Sequence, residues 1–157
     1  AKSLGATVIA TSSSDAKLAQ YKALGADHCI NYKSDPEWGT TVNKLTDGRG
    51  VDHVIEVGGP GTLPQSINAV AIGGHIALIG VLTGNEGMIP TTRLMAKQAR
   101  LQGLIVGSRD DQKALVRALN VNGITPVVDK TFTLDQLADA FRYEEAGKHF
   151  GKICVTL

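Results

Sequence analysis

A short apolar strand followed at once by a capped helix is the sequence feature that most constrains this chain. Residues 7–10 form a β-branched, apolar run typical of a buried parallel strand, and a helix is predicted over residues 15–24. Only Thr11 and the serines at 12–14 lie between them. A strand whose polar tip caps a helix is typical of the second β-to-α connection of a nucleotide-binding sheet.

The tip of this connection carries hydroxyl groups and a nearby lysine instead of a carboxylate. NAD binding requires a carboxylate here, because the adenosine ribose donates its hydroxyl hydrogens. Ser12, Ser13, Lys17 and the helix N-terminus offer donors or positive potential, which suit an adenosine 2′-phosphate. The tip therefore favours NADP(H). The alternative is that residues 12–14 only cap the helix, since serine is a preferred N-cap residue.

Predicted strands and helices alternate along most of the chain. Further strands are expected at residues 27–31, 51–57, 75–79 and 101–106, and helices at 35–45, 62–71, 92–97 and 110–122. This alternation predicts an α/β fold with a Rossmann-type doubly wound parallel sheet. An extended segment at 126–132, a helix at 134–146 and a strand at 152–157 follow. We therefore expect a partial dinucleotide-binding domain, residues 1–124, and a C-terminal segment, residues 125–157, that returns to a catalytic domain.

The first residues indicate that part of the sheet precedes them. Residues 1–5 resemble the last turn of a helix that ends at Gly5, and a helix before a parallel strand normally follows an earlier strand. We expect the first strand and its glycine-rich pyrophosphate loop to be missing. Such a chain in isolation should be marginally stable, with unpaired strand edges beside the gap, and should bind cofactor weakly or not at all.

Three predicted strands run into a glycine at their carboxyl ends, at Gly58, Gly80 and Gly107. Glycine there lets a flat ligand approach the backbone closely, so three on one edge favour a ligand crevice. The alternative is that each glycine only serves a tight strand-to-loop turn.

Net charge and the numbers of cysteine and histidine residues bear on which partners, location and metals are expected. A net charge of +1 argues against a nucleic-acid or membrane-surface binder, and no apolar run of about 18 residues suggests a membrane span. Cys29 and Cys154 are expected to be free thiols in strands, which agrees with a cytoplasmic location. The four histidines and two cysteines lack the clustering that a zinc site needs, so we predict no metal ligand among these residues.

An ordered set of short motifs resembles the medium-chain dehydrogenase/reductase superfamily, most closely its zinc-type alcohol dehydrogenase-like and quinone oxidoreductase branch. The set comprises GATVIATSSS at 5–14, ALGAD at 23–27, NY at 31–32, GVDHVIEVGG at 50–59, GGHIALIG at 73–80, GSR at 107–109 and HFGK at 149–152. The resemblance covers the whole chain, which looks like the C-terminal half of such a protein.

The resemblance implies a cofactor contact for each of several residues. Ser12, Ser13 and Lys17 match a pocket for the 2′-phosphate, and Tyr32 matches a tyrosine against the adenosine end. The remaining matches are Val57 and Gly58 beside the adenine ribose and pyrophosphate, Gly80 and Val81 at the nicotinamide ribose, and Val106, Gly107 and Ser108 at the carboxamide. Lys152 matches a position near the cofactor, although a solvated lysine explains it equally well.

The expected function is the cofactor-binding part of an NADP(H)-dependent oxidoreductase that transfers hydride to or from a carbonyl, alcohol, quinone or enone substrate. The resemblance also implies a homo-oligomer, a dimer or tetramer, and leaves zinc open, with any ligands in the missing half. Asp52 and Glu56 are expected to face different environments, so no catalytic residue is assigned. A non-catalytic nucleotide-binding module is the alternative. A methyltransferase would need an acidic residue at the end of the strand at 7–10, and residues 11–14 contain none.

Overall fold

Parallel strands and helices alternate along the chain in the computed structural model, which describes residues 1–157. The strands are β1 Ile9–Ser12, β2 His28–Asn31, β3 Val51–Glu56, β4 Val70–Leu78, β5 Arg100–Gly103, β6 Val128–Thr133 and β7 Lys152–Thr156. The helices are α1 Asp15–Ala23, α2 Trp38–Leu45, α3 Leu63–Ala69, α4 Thr91–Ala96, α5 Arg109–Val121 and α6 Leu137–Glu145, with 3-10 turns at Lys2–Leu4 and Leu134–Gln136. Residues 1–106 form one unit and residues 107–157 a second.

The strands of the first unit form two separate parallel sheets. β1 pairs with β2, so that Ser12 lies opposite Asn31, and β4 pairs with both β3 and β5. β1 and β3 each keep one unpaired edge. This arrangement confirms the predicted α/β fold with parallel strands, and the break between β1 and β3 falls where strand 1 of a 3-2-1-4-5-6 sheet would lie.

An apolar cluster packs elements from both sheets together. Its buried members are Ile30, Trp38, Val42 and Ala69, and the partly buried Ile9 of β1 and Val51 of β3 pack against them. Burial of such side chains contributes roughly 1.5–3 kcal/mol each. The first unit is therefore held together across the break by side-chain packing, with no backbone ladder between its sheets.

Helices α2 and α3 lie unusually close because α2 carries a glycine at the contact. A Cβ at Gly39 would lie 2.5 Å from the Gln65 carbonyl oxygen. The Gly39 N–H donates to Gln65 Oε1 at 3.0 Å, and Asn43 Nδ2 donates to the Asn68 carbonyl at 2.9 Å. The two helices are thus joined by polar contacts as well as by the apolar cluster.

The C-terminal end of α3 is closed by a lysine from α4's end. Lys97 Nζ donates to the carbonyls of Asn68, at 2.6 Å, and of Val70. Burial lowers the pKa of Lys97, and the nearby Arg93 charge lowers it further. An ammonium group at a helix C-terminus satisfies carbonyls that have no partner within the helix.

Several predicted boundaries differ from the structure, and the strand predicted at 75–79 already begins at Val70. The helix predicted to reach residue 71 ends at Ala69, because Val70 already pairs with Val51 of β3. The strand predicted over 101–106 ends at Gly103, since its only partner, β4, ends at Leu78. The helix predicted from residue 35 begins at Trp38, after a turn that holds Pro36.

The second unit contains a parallel pair, β6 and β7, with α6 packed against it. Phe132, Ala140 and Phe150 are its buried apolar residues, and Lys130 Nζ lies 4.7 Å from the centre of the Phe132 ring. On helix α5, Leu115 and Val116 are exposed. No helix of the chain is long and apolar enough to cross a membrane. Cys29 and Cys154 are free, as expected, and half-buried.

The ring of His75 provides a pH test of the first unit. Burial lowers the pKa of His75, and the charges of Arg100 and His53 lower it further; its Nε2 is buried without a partner. Because the folded pKa lies below the unfolded value of about 6.5, the unfolded chain binds more protons at acidic pH. The unit is therefore expected to lose stability as the pH falls below about 6.5, and to show no penalty from this ring above it.

NMR titration of the ring protons checks this expectation. His75 should titrate below the ordinary histidine pKa of about 6.5, and His53→Gln should raise the pKa of His75 slightly by removing a neighbouring charge. A His75 ring that titrates at or above about 6.5 would contradict the burial argument.

Candidate functional site

Hydroxyl groups at the end of β1 are already engaged with the start of α1. Ser12 is 8% exposed, and its Oγ accepts from the Ser14 N–H at 3.3 Å. Ser14 is the N-cap of α1, and its Oγ accepts from the Lys17 N–H at 3.3 Å. Ser14 therefore caps the N-terminus of α1. Each hydroxyl that accepts a bond still carries its own hydrogen, so capping leaves a donor for a ligand.

The other predicted residues at this end are placed around that tip. Lys17 lies half-buried in the first turn of α1, and Ser13 is half-buried between the two engaged serines. Tyr32 directly follows β2, where its N–H donates to the Ser12 carbonyl at 3.1 Å, and it is 38% exposed. The structure thus brings Tyr32 next to Ser12 through the parallel pairing of β1 and β2.

A carboxylate that the sequence reasoning overlooked also lies here. Asp15 is the first residue of α1, and its Oδ1 accepts from Asn31 Nδ2 at 2.7 Å. The Asn31 Oδ1 in turn accepts from the Lys33 N–H at 3.0 Å. The register that sets Ser12 opposite Asn31 was the signal for this contact, because it places the ends of both strands side by side. Asp15 is engaged with β2's end, and the tip itself at residues 11–14 remains free of acid groups.

The loops after β3 and β4 come together at four predicted site residues. A Cβ at Gly80 would overlap the Val57 carbonyl, and a Cβ at Gly59 would lie 2.9 Å from Val81 Cα. Val57 and Val81 are 48% and 50% exposed. The two loops therefore form one surface that presents both valine side chains to solvent.

Thr83 joins these loops by hydrogen bonds. Its N–H and its Oγ1 donate to the Gly58 carbonyl at 2.8 and 2.7 Å, and the Gly61 N–H donates to the same Oγ1 at 2.8 Å. Bonds made at both loops restrict them to one relative position.

The three glycines predicted at strand ends each have protein atoms where a side chain would lie. A Cβ at Gly58 would overlap Thr62, one at Gly80 would overlap Val57, and one at Gly107 would lie 3.0 Å from Asp111 Cβ. Close packing within the protein therefore favours glycine at Gly58 and Gly80 even without a ligand. Approach of a ligand to these glycines stays a prediction.

Val106, Gly107 and Ser108 lie beyond the end of β5 rather than on it. Val106 is 87% exposed in the first unit. Ser108 is the N-cap of α5 in the second unit, and both its N–H and its Oγ donate to Asp111 Oδ2 at 2.7 Å. The Ser108 N–H is therefore occupied in this structure, and its predicted contact with a carboxamide would have to displace Asp111 or use another atom.

Glu56 is the most heavily engaged side chain near these loops. It ends β3, it is 3% exposed, and its Oε1 accepts from the N–H groups of Gly58 at 2.7 Å and Gly59 at 3.0 Å. Asp52 on the same strand is exposed and pairs with Arg49, which lowers the pKa of Asp52 to about 2. The two carboxylates face different environments, as expected.

A metal centre does not fit the residues of this chain. No group of three or more His, Cys, Asp or Glu side chains lies close enough together to hold a metal ion. Three or four such ligands are needed for either a structural or a catalytic zinc.

Comparison with known proteins places the chain in a family. Residues 1–121 match the family described as zinc-binding dehydrogenase, so the chain belongs to that family and to the medium-chain dehydrogenase/reductase superfamily. A zinc-type alcohol dehydrogenase-like protein of Schizosaccharomyces pombe is 42% identical over 158 residues, which cover 98% of this chain and 45% of that protein.

Two solved structures share the fold along almost the whole chain. An NAD-dependent alcohol dehydrogenase is 35% identical with a TM-score of 0.90, covering 99% of this chain and 45% of its own. A mycobacterial protein complexed with NADPH is 28% identical with a TM-score of 0.82, covering 99% and 51%. The chain spans about 45% of the length of the curated relative from Schizosaccharomyces pombe.

The bonds of Thr83 predict a local effect of its replacement. Thr83→Val removes the acceptor of the Gly61 N–H and one donor to the Gly58 carbonyl while keeping the side-chain shape. Loss of about 1 kcal/mol should speed hydrogen exchange at the Gly61 amide roughly fivefold. Amide exchange followed by NMR or mass spectrometry measures this. Thr91→Val, at the exposed start of α4, is the matched control and should leave Gly61 unchanged.

Proposed function

We propose that this chain is the cofactor-binding part of an NADP(H)-dependent oxidoreductase. Such an enzyme would transfer hydride to or from a carbonyl or alcohol, or to a quinone or enone. The observation that carries the proposal is the end of β1, where serine hydroxyls, the capped N-terminus of α1 and Lys17 lie together and residues 11–14 supply no carboxylate. Membership of the zinc-binding dehydrogenase family supports the reaction class.

The cofactor would be held along the carboxyl ends of the strands. Ser12, Ser13 and Lys17 would hold the adenosine 2′-phosphate, because hydroxyl donors, an ammonium group and a helix N-terminus all favour an anion. Tyr32 would lie against the adenosine. The valine-lined surface of Val57 and Val81 would pack on the ribose groups between Gly58 and Gly80, and Val106, Gly107 and Ser108 would meet the carboxamide.

The bound nicotinamide supplies the hydride chemistry, and these residues orient it. The two loops joined by Thr83 offer a surface with little freedom to move, which lowers the entropy that binding must offset. We assign no general acid or base in this chain, since Glu56 is taken up by its own hydrogen bonds and Asp52 by Arg49.

The choice between NADP and NAD depends on the end of β1. Among the structural relatives, one is named NAD-dependent and another was solved with NADPH, so family membership alone does not decide it. Asp15 lies on α1 beyond this tip and accepts from Asn31 Nδ2. The hydroxyl groups at residues 11–14, with no acid group among them, are the reason for proposing NADP(H).

We also propose a cytoplasmic enzyme that acts on a small molecule as a homo-oligomer, a dimer or tetramer, without nucleic acid or membrane partners. Any zinc would be held by ligands from outside residues 1–157. A nucleotide-binding module without chemistry is the second candidate, because Glu56 and Asp52 are both engaged within the protein and no general acid or base is assigned.

Titration of NADPH and NADH against the full-length protein tests the proposal. Wild-type protein should bind NADPH more tightly, and Ser13→Asp and Lys17→Ala should each remove that preference. A carboxylate at 13 repels the phosphate, and loss of Lys17 removes one attractive charge, worth about 1 kcal/mol or a fivefold change in affinity. Fluorescence of the bound reduced nicotinamide gives both dissociation constants.

Lys44→Ala is the matched control, because it removes the same charge from the exposed last turn of α2. It should leave the ratio of the two affinities unchanged. Equal affinity of the wild-type protein for both cofactors would mean that residues 12–14 only cap α1. Absence of binding would reject the oxidoreductase.

A further inference from the structure

We propose that Glu56 is a positioning residue for cofactor binding, because it sets the backbone of the loop at 57–61 against which the cofactor packs. The inference rests on the proposed function, in which Val57 and Gly58 form part of the cofactor surface. Glu56 itself is 3% exposed and lies beneath that surface, so it acts through the loop and does not touch the ligand.

The two oxygens of this buried carboxylate serve different elements. Oε1 accepts from the Gly58 and Gly59 N–H groups and from Thr62 Oγ1 at 2.6 Å, which are all in the loop or at its exit. Oε2 accepts from Ser66 Oγ, on the second turn of α3. One side chain at the end of β3 thus fixes both the loop and the helix that follows it.

A buried carboxylate is stable only when it has such partners. An ion removed from water without compensation costs several kcal/mol, whereas hydrogen bonds to a charged acceptor are the stronger kind. The N–H groups of Gly58 and Gly59 are equally dependent on Glu56, since a buried N–H without an acceptor is costly. The Glu56 carboxylate and the two N–H groups therefore favour the same loop conformation.

The loop can therefore contact a ligand through its surface, but the N–H groups of Gly58 and Gly59 are not available as hydrogen-bond donors. The N–H groups of Gly58 and Gly59 point to Glu56, and the Gly58 carbonyl is taken by Thr83. A cofactor would meet this loop through van der Waals contact with Val57 and with the glycine backbone. Such contacts weaken steeply with small displacements, so the position of the loop controls affinity.

Replacement of Glu56 by glutamine isolates this role. Glu56→Gln has nearly the same shape, and its carbonyl oxygen can still face the loop, but it lacks the charge that strengthens the bonds. Ser66 must then turn from donor to acceptor to meet the new amide. We expect the dissociation constant of NADPH to rise about tenfold, which is about 1.4 kcal/mol, and hydrogen exchange at Gly58 and Gly59 to speed up.

Two control variants separate positioning from general destabilisation. Ile67→Val, at a fully buried position of α3, lowers stability without removing a hydrogen bond of Glu56 or of the loop. Asp52→Asn removes a carboxylate from the same strand at an exposed position. Both should keep the dissociation constant of the wild-type full-length protein and its exchange rates at Gly58 and Gly59.

The outcomes decide between the two proposals. If NADPH binds the wild-type protein and Glu56→Gln does not weaken it, or if Ile67→Val weakens it equally, the positioning role is overturned and the proposed function stands. If the wild-type protein binds neither NADPH nor NADH, both are overturned. Should Glu56→Gln fail to fold, Thr62→Val serves as the second variant, because it removes a single donor to Oε1. A smaller rise in the dissociation constant of NADPH is expected for it.

Discussion

The close packing of α2 on α3 is the constraint on which the first unit depends. β1 and β2 form one sheet and β3 to β5 another, and no backbone hydrogen bond joins them. The apolar cluster around Trp38 and Val42 contacts Ile9 in one sheet and Val51 in the other. Side-chain packing of α2 and α3 therefore joins the two sheets, where a continuous sheet would have backbone hydrogen bonds. The placement of the tip at Ser12 relative to the loop at Gly58 therefore depends on this contact, because the two lie on different sheets.

The predicted fold followed from local patterns that the structure obeys. Apolar runs of β-branched residues and capped helices are local signals, and they located every strand and helix, most of them within two residues. The errors at α3, β4 and β5 occurred where a partner strand decides the boundary. Val70 leaves α3 because Val51 is available to pair, and β5 stops at Gly103 because β4 has already ended. Pairing between distant segments cannot be read from a window of sequence.

The candidate site could be predicted only in part for the same reason. The serines at 12–14 could be identified from the sequence as a polar tip, and so could their capping role. The partners of Asp15 and Glu56 were not, since Asn31 lies 16 residues from Asp15, and Ser66 lies 10 residues from Glu56 and on another element. A glutamate inside an apolar strand was a signal of a satisfied buried charge, because an unpaired one would be too costly there.

The close packing of α2 on α3 restricts which residues can occupy position 39 during evolution. Helix propensity favours alanine over glycine, by up to about 1 kcal/mol in a helix interior, and Gly39 lies in the first turn of α2. Here a methyl group would meet the Gln65 backbone at 2.5 Å and the Asn68 side chain at 2.9 Å. Selection for a stronger helix and selection for a joined pair of sheets therefore act in opposite directions at this position. A lineage could accept a larger residue at 39 only together with a shift of α3, which would carry Leu63 and the loop before it along.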